Sequence, residues 1–417
     1  MKYYLVGIKG CGMCALANIL HKQGHIVRGA DVKDDFYTKS KLKEFAIDEL
    51  NNILVDNTYF YIIGNSYKDK KCCKDIISKC RFLYYPEFIA WYFKDYKQIC
   101  IAGSHGKTTT TALVSHLIKD CCYLIGDGSG GYSKNKVLVI EACEYKNTFL
   151  NYNPHISLIL NVDYDHPDFF KSEKDYIDSF KAFIDKSLVS VVNGDDKNLF
   201  DVKTKCITFG MDSSSDLVFD IEYKNNKMIV HIDDEDFVFN HVGIHYAYDF
   251  VAAYVVAAML GISDDIIKKR LKSFKMPNRR LTKYFKNKIT YICDYAHHPT
   301  EIEKVYQTLS MEYPNKNIVC FFEPHTYSRT LAFKNDFKRA LGLFYKTYLF
   351  RTFGSRENDD TNLDKLILSE LGYEVINESE IMNFHYEANS IYLFLGAGTI
   401  DNILRKKLDE RKWKSLI

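Results

Sequence analysis

Short apolar runs bounded by turn residues recur along this chain between stretches of helical periodicity. They fall at Tyr3–Ile8, Tyr59–Ile63, Ile99–Ala102, Val137–Ile140, Ile156–Leu160, Val189–Val192, Ile289–Cys293, Ile318–Phe322, Thr347–Phe350 and Ile391–Leu395. Strands separated by helices are joined through crossovers and build parallel sheets with helices packed on their faces, so the class is α/β. Ligands of such sheets sit beyond the carboxyl ends of the strands, which makes the loops after these runs the places to search. The 417 residues suffice for two to four cores at about 150 residues each. Polar Lys94-Asp95-Tyr96-Lys97 marks one seam, and Met276-Pro277-Asn278, where proline ends the helix-like Ser263–Phe274, marks another. Three domains follow: 1–97, 98–277 and 278–417. Within the second, Leu217–Phe239 alternates in short pieces around acidic turns and predicts a small antiparallel insert.

Charge excludes some functions. With 56 Lys+Arg against 54 Asp+Glu the net charge is +2, so there is no field for a nucleic acid, and an anionic ligand needs a local cluster. No apolar run approaches the ~18 residues of a membrane span, and the opening Met1–Gly7 enters a strand rather than a leader, so a cytoplasmic protein with no membrane partner is expected. The 12 cysteines are dilute and irregularly spaced, with adjacent pairs at Cys72/Cys73 and Cys121/Cys122, and read as reduced small hydrophobes.

The run Ile99–Ala102 leads into Gly103-Ser104-His105-Gly106-Lys107-Thr108-Thr109-Thr110-Thr111 and then an amphipathic helix through Ile118. Glycines that let backbone N–H groups turn inward, a helix N-terminus and a lysine together make a phosphate cradle, and Thr108 offers a hydroxyl to Mg²⁺. Position 101 is Ile, so the motif is the shorter G-[ST]-[HN]-G-K-[TS]-[TS] form. A divalent ion between phosphates needs further ligands at strand ends. Two clusters offer them: Glu141-Ala142-Cys143-Glu144 after one strand and Asn161 to Asp168, including His166, after the next.

The first strand opens into Gly7-Ile8-Lys9-Gly10-Cys11-Gly12-Met13-Cys14, and a second ends at Asp31, which approximates a dinucleotide fingerprint with altered glycine spacing. Cys11 and Cys14 also form a C-x-x-C at a helix start, where a thiol pKa can fall, leaving a redox or metal role as an alternative.

Together these motifs resemble the Mur ligase family, ATP-dependent enzymes that build the peptide stem of the bacterial cell wall. The resemblance runs nearly end to end, through Gly7–Ala17, Ile101–Val114, Val139–Glu144, Leu160–Asp168, Arg279–Leu281, Asp294–Glu301, Phe322–Thr330 and Leu395–Ile400. The blocks Asp294-Tyr295-Ala296-His297-His298-Pro299-Thr300-Glu301 and Glu323-Pro324-His325-Thr326-Tyr327-Ser328-Arg329-Thr330 are similar to the branch that adds a single alanine. The resemblance implies a Rossmann-like N-terminal domain, a P-loop-type central domain with a mostly parallel sheet, and a Rossmann-like C-terminal domain. It implies ATP and Mg²⁺ as cofactors, UDP-N-acetylmuramate and L-alanine as substrates, and a monomer or homodimer.

By the same resemblance, Gly103 to Thr109 cradle ATP, Lys107 contacts the β/γ-phosphates, Thr108 and Glu141 hold one Mg²⁺, and His166 holds a second. Arg279 reaches the γ-phosphate, Asp294 binds the ribose and His245 lies at the base. Gly10, Gly12 and Asp31 bind the UDP part, and His297, His298, His325 and Arg329 handle the alanine and the muramyl carboxylate. Either His297 or His298 would accept the proton of the attacking amine. Tyr246 and Asp249 stand where the family has asparagines, and Cys143 and Cys293 stand where it has acids. Two other readings share this scaffold: a sugar-nucleotide-binding protein with little catalysis, and a recycling ligase that attaches a preformed peptide.

Overall fold

The structure is a computed structural model that describes residues 1–33, 36–224, 227–355, 357 and 360–408. Its first sheet is parallel throughout: β1 (Lys2–Val6), β2 (Ile26–Asp31), β3 (Ala46–Glu49), β4 (Phe60–Ile63) and β5 (Phe82–Tyr84), in the order β3-β2-β1-β4-β5. Tyr3 to Val6 and Phe60 to Ile63 are buried, as expected of strands covered on both faces. The order reverses beside β1, so a crevice opens at the ends of β1 and β4. The chain leaves β1 through Gly7, at φ +87, and enters the helix Cys11–Lys22.

The second sheet holds β6 (Lys97–Ala102), β7 (Cys122–Leu124), β8 (Gly130–Gly131), β9 (Val137–Glu141), β10 (Ile156–Ile159), β11 (Val189–Asn193), β12 (Ile207–Gly210), β13 (Leu217–Lys224), β14 (Lys227–Ile232) and β15 (Glu235–Phe239). The order is β15-β14-β13-β12-β11-β10-β6-β9-β7-β8, with antiparallel pairing confined to β13-β14-β15 at one end and β7-β8 at the other. The expected insert is therefore an extension of the main sheet's edge through the short parallel contact of β12 with β13. Central β6 lies between β9 and β10, so its exit loop is flanked by both of theirs. The helix Lys107–Ile118 that follows β6 packs on Ile244–Met259, a helix apolar almost all round and accordingly buried.

The third sheet comprises β16 (Thr282–Lys286), β17 (Ile289–Asp294), β18 (Asn317–Phe322), β19 (Lys346–Leu349), β20 (Glu374–Val375) and β21 (Ser390–Leu395). Its order is β16-β17-β21-β18-β19-β20, parallel except where β16 turns back on β17. One apolar core runs from the helix side of the central sheet into the C-terminal sheet, and another joins the N-terminal helix layer to the opposite face of the central sheet. The loops after β1, β6, β9, β10, β17 and β18 thereby meet in one region. Among the described residues, no helix is long and apolar enough to cross a membrane.

Candidate active site at the junction of the three sheets

The loop after β6 carries two left-handed or strained glycines, Gly103 at φ +144 and Gly106 at φ +84. A Cβ on Gly106 would lie 2.3 Å from Asp249 Oδ1, so the residue is required by conformation and by space. The amides of Ser104 and His105 do not point into the cradle: they donate to Asn161 O (3.1 Å) and Asn161 Oδ1 (2.8 Å). Asn161 thus braces the loop, and the amides left to meet an anion are those at the start of the helix, which have no partner within it. Lys107 Nζ donates to Ser104 O (3.0 Å) and pairs with Glu144 Oε2 (3.0 Å). Burial disfavours the ammonium, but Glu144 and Glu141 offset it and hold the lysine protonated, above its ordinary pKa.

Thr108 Oγ1 donates to Glu141 Oε2 over 2.9 Å, and Gly126 N donates to the same oxygen at 2.8 Å. Burial pushes the Glu141 pKa up. His166, at φ +57, places Nε2 3.3 Å from Glu144 Oε1 and its ring 4.8 Å from that of Tyr145, tilted at 44°. Burial alone would raise the Glu144 pKa, yet Lys107 and His166 hold it below the usual carboxylate range. The acid between Lys107 and His166 is therefore Glu144, while Glu141 faces Thr108.

The C-terminal sheet supplies the other wall. Asp294, buried, accepts from Leu281 N (2.7 Å) and Ala296 N (2.8 Å) and fixes the two loops beside it. Arg279 donates to Gly396 O and faces Asp401 at 3.8 Å within its own domain, and lies over the rings of Tyr295 (4.7 Å) and, from the N-terminal domain, Tyr37 (5.2 Å). Arg280 lines both cavities of the junction, and its charge is felt by Asp294, Glu301 and Glu141. Reading the sequence alone passes over it, because a doubled arginine gives no sign of which member faces inward.

His297 Nδ1 lies 3.0 Å from Tyr295 O, an acceptor, so Nδ1 carries the proton and Nε2 the lone pair. Burial pushes its pKa down to about 3, which keeps the ring neutral. Its ring meets that of His325, whose Nδ1 faces Arg329 Nη1 at 3.1 Å. Arg329, 2% exposed, makes a two-pronged pair with Asp165: Nε to Oδ1 at 2.8 Å and Nη2 to Oδ2 at 3.0 Å. This pair joins the C-terminal domain to the loop after β10. A second tie is His105, between Asp163 Oδ2 (2.8 Å) and Glu301 Oε1 (3.3 Å), with Thr300 Oγ1 donating to the same Asp163 oxygen at 2.7 Å.

On the N-terminal side, Asp31 accepts from Lys9 N (2.7 Å), Val32 N (2.8 Å) and Tyr67 Oη (2.8 Å). Gly10 turns back on Gly7 O (3.1 Å), and a Cβ on Gly12 would meet Tyr85 Oη at 2.6 Å. Cys11 bonds the Tyr37 hydroxyl, and burial raises the pKa of Cys11 and takes Cys14 up to about 12. Burial thus outweighs the helix start, the reverse of an activated thiol. All twelve cysteines are free.

Two cavities adjoin at this junction. The smaller, about 100 Å³, is bounded by Lys107, Thr108, Glu141, Arg279, Arg280 and His297, with Tyr37 entering from the N-terminal domain. The larger, about 490 Å³, runs past Thr109, Asp163, His245, Asp249, Arg280 and Asp294. His245 lies against Tyr246, burial pushes its pKa down to about 3, and its buried Nδ1 has no hydrogen-bond partner among the described residues.

Residues 2–65 match the Mur ligase family catalytic domain, 131–257 the Mur ligase middle domain, and 279–392 the Mur ligase glutamate ligase domain. A UDP-N-acetylmuramate–L-alanine ligase of Streptococcus pyogenes is 33% identical over 423 aligned positions, covering 95% of each chain. The chain belongs to the Mur ligase family. Two solved Mur ligases share the fold: a UDP-N-acetylmuramate–alanine ligase of Thermotoga maritima (TM-score 0.82, 22% identity, 99% of each chain) and a murein peptide ligase of Psychrobacter arcticus (TM-score 0.75, 20% identity, 98% of each chain). In this Mur ligase, residues of the loop after β6, Glu141 at the end of β9 and the arginines of the loop before β16 face one cavity.

Proposed function

We infer that this chain joins L-alanine to the carboxylate of UDP-N-acetylmuramate at the expense of ATP, forming ADP, phosphate and an amide in cell-wall precursor synthesis. In this reading residues 1–97 hold the UDP-sugar, 98–277 hold ATP, and 278–417 close over both and bring the alanine. The observation that carries it is the convergence of Lys107, Thr108, Glu141, Arg280 and His297 on one cavity, beside a second large enough for a nucleoside. The relative from Streptococcus pyogenes supports the choice of substrates.

A carboxylate and a triphosphate repel each other, so acyl phosphate formation needs positive charge on the path of the γ-phosphoryl group. Lys107 and Arg280 stand there from two different domains. Thr108 Oγ1 and Glu141 Oε2, 2.9 Å apart and facing that cavity, form a hard oxygen pair suited to Mg²⁺, with Glu144 and His166 as a second set behind Lys107. Bound there, the ion would neutralise phosphate charge. His297, its Nδ1 held by Tyr295 O, offers an unprotonated Nε2 as an acceptor that orients the attacking amine; with a pKa of about 3 it does not keep the proton, which passes to the leaving phosphate or to solvent. Collapse of the tetrahedral intermediate then expels phosphate.

The test is phosphate release with ATP, UDP-N-acetylmuramate and each of alanine, glycine and serine. Release should require all three substrates and fall at least about a hundredfold in Lys107→Ala. Release that persists without the sugar nucleotide would mark a simple ATPase and refute the reading.

A further inference from the structure

His105, Asp163 and His298 each present a ligand atom to one point, all within 4.8 Å of one another. None of the three belongs to the oxygen pair assigned above to Mg²⁺. His298 is 4% exposed, and neither of its ring nitrogens has a hydrogen-bond partner among the described residues. It occupies the N-cap of the helix Pro299–Glu312, but that cap is closed from the other side, by Glu301 Oε2 accepting from His298 N at 3.2 Å. The imidazole is thus a buried polar group with no close hydrogen bond to either ring nitrogen, only the Glu301 amide on its capping side and Asp163 nearby, which ordinarily carries a cost. Its Nδ1 stands 3.5 Å from Asp163 Oδ2, and His105 Nε2 stands 2.8 Å from the same oxygen. Ligands of tetrahedral Zn²⁺, at about 2.0–2.1 Å from the ion, lie about 3.3 Å apart, and the observed separations bracket that value.

We propose that His105, Asp163 and His298 form a binding site for a Zn²⁺-type divalent cation that clamps the C-terminal domain onto the central one. Two imidazoles and one carboxylate are a borderline-soft donor set that suits zinc or cobalt and disfavours magnesium. The fourth position is open to water, because the Asp163 side chain is 39% exposed. Glu301, 3.3 Å from His105 Nδ1, keeps that ring oriented as an outer-shell acceptor while Nε2 turns to the ion. Binding releases the Nε2 proton of His105 to solvent, while the Nδ1 proton stays on the ring and is donated to Glu301. His105 and Asp163 come from the loops after β6 and β10, and His298 from the loop after β17. The complete site therefore exists only when the domains are docked, and an ion that binds it stabilises docking by mass action.

The experiment is titration of the full chain with Co²⁺ in excess Mg²⁺, followed by visible absorption, then displacement by Zn²⁺. One equivalent should give the intense bands of tetrahedral cobalt. Asp163→Asn and His298→Gln, altered on opposite sides of the domain boundary, should each lose those bands and weaken Zn²⁺ binding roughly a hundredfold or more. His166→Gln should keep them. Far-UV circular dichroism establishes that each variant is folded, and the second variant serves if the first is not. Absence of bands in the wild type, a weak octahedral spectrum, or bands that survive both variants and vanish in His166→Gln would overturn the proposal.

Discussion

Replacing Asp165 with asparagine removes one charge from a pair whose atoms lie 2.8 and 3.0 Å apart and whose members are 5% and 2% exposed. Breaking a buried pair from one side costs about 3–5 kcal/mol when the remaining charge has nowhere to go. Here it has somewhere to go, because Arg329 and Asp165 belong to different domains, and undocking returns the guanidinium to water. The asparagine keeps a hydrogen bond, so the loss sits at the lower end, about 3 kcal/mol, or roughly 150-fold in the docking equilibrium. Small-angle scattering with ATP analogue present should show Asp165→Asn more extended than the wild type. Each separate core is untouched, so the midpoint of the main thermal transition should move little. A double-mutant cycle on activity with Arg329→Gln should recover most of that energy as coupling. Unchanged scattering with a transition lowered by many degrees, or a coupling near zero, would refute the argument that this pair holds domains together rather than supporting a single core.

Arg280→Gln should lower kcat at least about a hundredfold, since Arg280 lines both cavities, while Arg279→Gln, bound to Gly396 O and packed between two tyrosines, should lower stability more than kcat. Steady-state kinetics beside thermal melts separate the two, and reversed effects would exchange the roles. Burial raises the Asp249 pKa from 3.8 to about 7, although Thr110 Oγ1 donates to it at 3.0 Å. A carboxyl whose folded pKa is raised contributes stability that is complete below pH 3.8 and is lost as pH climbs through about 7. Asp249→Asn should therefore stabilise the chain more at pH 8 than at pH 5 in urea titrations, by roughly 3 kcal/mol. Equal effects at both pH values would show that the carboxyl is ionised throughout.

The apolar runs of the core strands were legible because strands buried on both faces must be apolar throughout, and every such run became a strand. The edges were not. Ala46–Glu49 and Glu374–Val375 are short and largely polar or exposed, and carry little periodic signal. The turn from strand through Gly103 and Gly106 into the helix at Lys107 was legible through local spacing, since a left-handed glycine beside a helix start must be specified within a few positions. What escaped was partnership between distant segments.

Arg329 with Asp165, His105 with Glu301 and Lys107 with Glu144 are separated by 164, 196 and 37 positions, and nothing in either member's neighbourhood names the other. The first two share a pattern that the third, internal to the central domain, does not. Charged groups brought to the junction by the central domain are met by opposite charges or hydrogen-bonding groups of the C-terminal domain: Asp165 by Arg329, and Asp163 by Thr300 and His298. Lys107 and Arg280 remain on the cavity wall, with Glu144 and Glu141 within their electrostatic reach. On the proposed function, an incoming triphosphate would compete for those cations and Mg²⁺ would take up the freed carboxylates, so nucleotide binding would exchange internal pairs for ligand pairs instead of burying bare charge. The pairs that hold the domains together lie outside that exchange, so binding of the nucleotide need not break them.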